Sequence, residues 1–389
     1  MPATDLPFSH AEYQRRLTLT RQRMDALGLD ALFVEDPSNM AWLTGYDGWS
    51  FYVHQGVIVS PDLDPLWWGR AQDAKGALRT VWMPPERVLP YDEAFVQNPD
   101  RHPMSDLARH FRGRRIGVEM DNYYYSAKAH ASLVAALPDC TYVDATGLMN
   151  WLRAVKSDEE ITFMRRAARI SEKIMDGILE RVEPGMRKNA LVADILSDGI
   201  LGADGHWGDY PAILPLLPSG ADASAPHLTW DGRPFDAGEA TFFEISGCYR
   251  RYHAPFCRTV FLGTPPQHML DAEKALVEGL EEGLEAARAG REAGDVARAL
   301  FAALARGGIT RDGRCGYPIG LSYPPDWGER TISFRPTDRT VLEPGMTFHF
   351  MPGLWMDDWG LEITEPILIR ENGPAECLCQ RPRKLFVKN

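Results

Sequence analysis

The chain has no run of 18 or more apolar residues, so no transmembrane helix is expected. It has no excess of positive charge. The 42 Lys and Arg against 54 Asp and Glu leave a net charge of −12, which argues against nucleic acid or an anionic membrane as main partner, since both need a basic face. A small molecule or a protein fits better. The start, MPATDLPFSHAEYQRRLTLTRQRM, lacks a basic stretch followed by an apolar core. No secretory signal is read there, and a cytoplasmic location is expected. Cysteine is sparse: Cys140, Cys248, Cys257, Cys315, Cys377 and Cys379 are scattered, and only the last two are close. Without a second close pair, or histidines at finger spacing, they read as reduced thiols rather than zinc ligands. Catalysis by Cys257 or Cys315 is the sharper alternative, because both lie in site-forming segments. No short-period repeat and no low-complexity segment occurs.

What is present describes a globular protein: 389 residues, 44% hydrophobic and 25% charged, enough for two domains or one large one. The first part alternates helical and strand-like segments, with a helix over 11–27, apolar strands over 30–34 and 57–60, and another over 115–120 before a helix. That alternation predicts a small α/β domain over 1–152. Ser157 followed by Glu160 forms a capping box. Ile161, Met164, Ala168, Ser171, Met175 and Ile178 then recur at helical spacing, which opens a second domain over 153–389. In it the pattern predicts helices to 183, over 188–201, 265–289 and 293–305. Strands are expected over 240–245, 256–262, 347–351 and 362–368.

The string Glu244–Gly263, EISGCYRRYHAPFCRTVFLG, resembles the metal-binding β-hairpin of the creatinase/methionine-aminopeptidase superfamily, and Leu152 to Ile161 resembles the start of its catalytic domain. The resemblance is strong over 153–389 and weaker before that. It implies an α+β protein: a creatinase-like α/β domain followed by a pita-bread domain, a curved antiparallel sheet backed by helices. In metal-dependent members five side chains hold two metal ions. Here the corresponding positions are Glu244, Pro255, Tyr317 in a Gly316–Gly320 turn, Met351 before Pro352-Gly353, and Thr364 in a Gly360–Glu365 strand. Only the glutamate offers a ligand suited to such cations, so no metal and no other cofactor is expected.

Side chains two apart on a strand share a face, so His253, His349 and Glu362 are expected to point inward with the replaced ligand positions. A one-residue slip would put Glu365 there instead of Glu362. His227, in Pro226-His227-Leu228, resembles the general acid/base histidine of metal-free creatinase, and a histidine titrates near working pH. The resemblance thus nominates His227, Glu244, Glu362 and His349 as catalytic, with the bland alternatives of core or solvent-facing residues open for Glu362 and His349. Tyr317, Trp355 and His253 are candidates for substrate binding, since indole faces attract cations. Trp49, Phe51 and Tyr52 lie in a segment that reaches the partner's site in creatinase-like dimers, which implies a homodimer. Arg70 and Arg330 are candidates for a substrate carboxylate, and Arg258 has a structural reading.

A delocalised cation on the reacting carbon needs less help from metal, and a carboxylate can hold its parallel N–H pair. The strings FFEISGCYRRYHAPFCRT and CGYPIGLSYPPDWGE are similar to a bacterial branch that opens cyclic amidines bearing a carboxylate. This implies a zwitterionic small-molecule substrate, an N-acetylated product and a deacetylase acting downstream. The alternatives are an amidinohydrolase acting on another cation, an Xaa-Pro dipeptidase or dimethylsulfoniopropionate lyase, and a non-catalytic binding module.

Overall fold

The computed structural model describes residues 6–388. The chain divides into two compact units, with the boundary between Arg153 and Ala154. In the first, six strands form one mixed sheet: β1 (Ala31–Val34), β2 (Gly56–Val59), β3 (Leu66–Arg70), β4 (Val88–Tyr91), β5 (Arg115–Val118) and β6 (Thr141–Asp144). Their order is β4-β3-β2-β1-β5-β6, antiparallel at β1/β2 and β2/β3 and parallel elsewhere. Ala31, Phe33, Ile58, Trp68, Ile116 and Val118 build the core on one face. The expected elements are present, with ends shifted by a residue or two.

The second unit opens with the Asp158–Arg181 helix, and its capping box is formed as read: Ser157 Oγ accepts from Glu160 N and Ser157 N donates to Glu160. Glu160 also accepts from the Tyr252 hydroxyl at 2.7 Å, tying the helix start to the sheet. The hairpin β7 (Ala240–Tyr249) and β8 (Tyr252–Leu262) crosses this helix. A Cβ at Gly247 would come within 2.3 Å of the Ala167 carbonyl oxygen, so the close approach requires glycine. Ser171 Oγ accepts from Gly247 N at 2.7 Å and donates to the Ala254 carbonyl at 2.5 Å.

Both hairpin strands are longer than alternation suggests, because all their residues are buried and the apolar/polar pattern fades. The remaining strands are β9 (Gly316–Pro318), β10 (Thr347–Phe350), β11 (Gly353–Trp355), β12 (Gly360–Glu362), β13 (Glu365–Leu368), β14 (Glu376–Cys377) and β15 (Phe386–Lys388). They form a β14-β13-β10-β9 sheet, a β11-β12 pair and a β15-β8-β7 sheet, joined by a bridge between Cys257 and Thr364. Two expectations are corrected. The strand expected over 362–368 is broken at Ile363-Thr364, where Thr364 leaves its neighbours to bridge Cys257, and β15 joins β8 in parallel rather than antiparallel fashion. The Gln267–Ala286 and Ala293–Arg306 helices cover the sheet through Leu276, Leu280, Leu300 and Leu304, packed with Phe348, Phe350, Leu361 and Ile363. Among the described residues no helix is long and apolar enough to cross a membrane.

Arg258 lies on the helix-facing side of β8, fully buried, and donates to Glu365 at 2.5 Å and to the carbonyls of Thr364, Pro382 and Cys257. Its structural reading therefore holds, and Glu365 points away from the inward face. Removing one partner of such a pair leaves a buried charge, at a cost of about 3–5 kcal/mol. Arg258→Met is expected to lower the unfolding free energy in urea by about that amount, and the Arg258→Met/Glu365→Leu double variant to regain most of it.

Candidate active site

Strand alternation sets the floor of the site. Glu244 stands opposite Cys257 and Ser246 opposite Pro255 on the inward face of the hairpin. Ala223, Phe242, Cys257 and Trp355 pack together beside them. Glu244 is buried, and desolvation alone pushes its carboxyl up to about 8. Glu362, at the end of β12, is fully buried on the same side and lifted further, first by burial and then by the Glu244 charge; Arg311 partly offsets the shift. Neither Glu362 oxygen has a donor in hydrogen-bond geometry. The Cys257 thiol adjoins it and favours its charged form only weakly. Two carboxyls are thus held in one desolvated place. At neutral pH the pair keeps a proton, because two adjacent charges would repel in a medium that screens them poorly.

Next to Glu244 runs a directed chain of hydrogen bonds. Trp327 Nε1, which can only donate, reaches the Tyr317 hydroxyl at 2.8 Å, and that hydroxyl meets His349 Nδ1 at 3.0 Å. On its other side His349 Nε2 meets Thr364 Oγ1 at 2.7 Å. Burial, and secondarily the Arg314 charge, depress His349 to about 3, so the ring is neutral and its contact with Glu244 Oε1 at 3.8 Å is polar rather than ionic. The ring's two nitrogens are committed to Tyr317 and Thr364, which fixes its orientation against Glu244. Burial raises the Tyr317 hydroxyl well above its ordinary range, so it stays protonated.

The sequence candidates are therefore brought together unevenly. Glu244, Glu362, His349, Tyr317 and Trp355 share the inward side. His253 is also buried, but its Nε2 accepts from Ala212 N at 2.8 Å and its ring is neutral, depressed to about 3 chiefly by burial; it anchors the 212 segment. His227 is exposed, on a loop closed by a hydrogen bond from Leu217 N to Thr229 O. Leu216, next to that base, pairs with Glu244 through both backbone bonds. Trp49 (57% exposed) and Tyr52 (64% exposed) stand on the first unit's surface, with Phe51 5.0 Å from Trp49. Arg70 is bonded to Glu93 in the first unit, and Arg330 is exposed with φ of 55°. Arg311, in the loop ahead of Gly316–Gly320, is marked by no motif, and only the fold brings it beside Glu362 and Trp355.

The donor set does not fit a metal pair. Pro255 and Met351 provide no oxygen or imidazole, and the Tyr317 hydroxyl and Thr364 Oγ1 are engaged with His349. Among the described residues, no group of three or more His, Cys, Asp and Glu side chains is arranged to hold a metal ion.

Residues 16–155 match the creatinase/prolidase N-terminal domain, and residues 162–371 match metallopeptidase family M24. The chain is 56% identical to the ectoine hydrolase of Halomonas elongata, with 100% of each chain covered. It is 41% identical to the uncharacterized hydrolase/peptidase y4tM of Sinorhizobium fredii, with 99% of each covered. Among solved structures, the prolidase of Pyrococcus horikoshii superposes with a TM-score of 0.82 at 18% identity, covering 96% of this chain and 100% of that one. The last likeness is one of fold alone. On these matches the chain belongs to metallopeptidase family M24, as a member with a creatinase/prolidase-type N-terminal domain.

Proposed function

We propose that the protein hydrolyses ectoine, a cyclic amidine bearing a carboxylate, and opens its ring to N-acetyl-2,4-diaminobutyrate without a metal ion. The observation that carries this reading is the full-length 56% identity to an ectoine hydrolase. The buried Glu244/Glu362 pair supports it, because a delocalised amidinium supplies the positive charge that the site's own side chains leave unmatched. Water adds its oxygen to the amidinium carbon and one ring C–N bond breaks. The water's protons pass to the departing nitrogen, which leaves as an ammonium while the carbon becomes an amide.

Glu244 holds the amidinium or attacks its central carbon. Glu362, retaining a proton longer, stabilises the adduct and exchanges protons with the nitrogens. His349, held by Tyr317 and Thr364, packs against Glu244 as a neutral wall of the site, and Tyr317 and Trp355 line the cation. The shuttle role of His227 rests on its resemblance and on its loop being closed beside Leu216, which pairs with Glu244. A homodimer in which Trp49, Phe51 and Tyr52 complete the partner's site rests on their resemblance and on the exposure of Trp49 and Tyr52. The acetylated product suits a deacetylase as the next enzyme.

Proton NMR of ectoine incubated with the protein, with and without a strong chelator, tests substrate, product and metal independence together. Equal rates of ring opening are expected in both tubes, and loss of turnover on chelation would refute the metal-free reading. Glu244→Gln and His227→Ala are each expected to lower kcat by at least about 100-fold. Wild-type rates in either would remove that residue from the mechanism. Because Glu244 must lose its proton to act, kcat/KM should climb about tenfold per pH unit up to about pH 8 and then level off. A wild-type profile flat from pH 6 to 8 would contradict it.

A further inference from the structure

The two carboxyls answer one end of a zwitterion and leave the other unmatched. We propose that the Arg311 guanidinium and the Trp355 indole N–H together bind the carboxylate of the substrate. This assignment rests on the ectoine reading.

Arg311 is carried by the loop that follows the Ala293–Arg306 helix and turns at Gly313, whose φ is 86°. Its Nη1 donates to the Met351 carbonyl at 3.3 Å, and its Nη2 to the Arg314 carbonyl at 3.2 Å. Among the described residues, no carboxylate lies within ion-pair distance of it, whereas Arg258, Arg70 and Arg381 are all bound to acids. Burial disfavours its charge, and the nearby Glu362 restores part of the loss. The guanidinium carbon lies 5.1 Å from the centre of the Trp355 ring. That indole contributes the second donor: Trp355 Nε1 is buried and has no acceptor.

A cation and an N–H, both desolvated and both without an anionic acceptor, form an incomplete recognition site. A carboxylate completes it, since its two oxygens accept parallel bonds from a guanidinium and have lone pairs left for an indole N–H. Charge balance points the same way. The amidinium lies against Glu244 and Glu362, and the carboxylate against Arg311, so the substrate pairs each of its charges with one of opposite sign. Arg314 is exposed over the Tyr317 ring at 4.6 Å and has no comparable buried partner.

The test compares two substrates, ectoine and 2-methyl-1,4,5,6-tetrahydropyrimidine, the same amidine ring without its carboxylate. The wild-type preference for ectoine, as a ratio of kcat/KM values, should fall about 100-fold in Arg311→Met and about tenfold in Trp355→Phe, which keeps the ring and loses the N–H. The loss should appear chiefly in KM. Arg311→Lys should recover part of the preference, and it decides the matter with Trp355→Phe if the Met variant does not fold. Equal losses on both substrates, or an unchanged ratio, would overturn the carboxylate assignment while leaving ectoine hydrolysis standing. A wild-type protein that neither binds nor opens ectoine would instead remove the reading beneath it.

Discussion

Two carboxyl groups in one desolvated place, Glu244 on the β7–β8 hairpin and Glu362 on β12, facing no cation of matching strength, are the constraint around which the site is built. Glu244 and Glu362 lie within each other's field, and Glu362 has both oxygens without a donor. An arrangement of this kind favours retention of a proton in the empty site and ionisation when a positive group enters. Substrate charge and side-chain charge are then complementary parts of one balance, and Arg311 with Trp355 extends the balance to an anion.

The rest of the second unit keeps that floor rigid. The strands of this unit present two faces of opposite electrostatic character: Arg258 on β8 and Glu365 on β13 neutralise each other on the helix side, while Glu244 on β7 and Glu362 on β12 remain unmatched on the inward side. At the break at Ile363-Thr364, Thr364 bridges Cys257 and meets His349 on the inward side. The chain from Trp327 through Tyr317 and His349 to Thr364 includes Tyr317 and Thr364, two of the positions that the sequence resemblance aligns with metal ligands. These side chains form a hydrogen-bonded brace along one side of the site.

Much of this was legible in residue order. The capping box at Ser157 and Glu160, the helical spacing that follows, and the hairpin and turn motifs are local patterns, and local patterns survive without knowledge of the fold. The ends of β7 and β8 were not legible, because strands buried on both faces lose the alternation that would mark them. The inward direction of Glu362 follows from parity with Thr364, and the structure rules out the one-residue slip that would have put Glu365 there instead. His253 illustrates the same limit: its inward direction follows from parity, but its engagement with the Ala212 amide depends on a segment about 40 residues away.

By itself, the order of amino acids determined the two-part architecture, the family resemblance, and the presence of Pro255, Tyr317, Met351 and Thr364 at the positions that this resemblance aligns with ligands, because each depends on residue chemistry at fixed spacing. Only the tertiary structure decided which charges are matched. Arg258 finds Glu365, His349 is held neutral beside Glu244, and Arg311 is brought over Trp355 from a loop with no motif of its own. Burial and long-range proximity set the energy of a charge, and neither is written in any short stretch of chain.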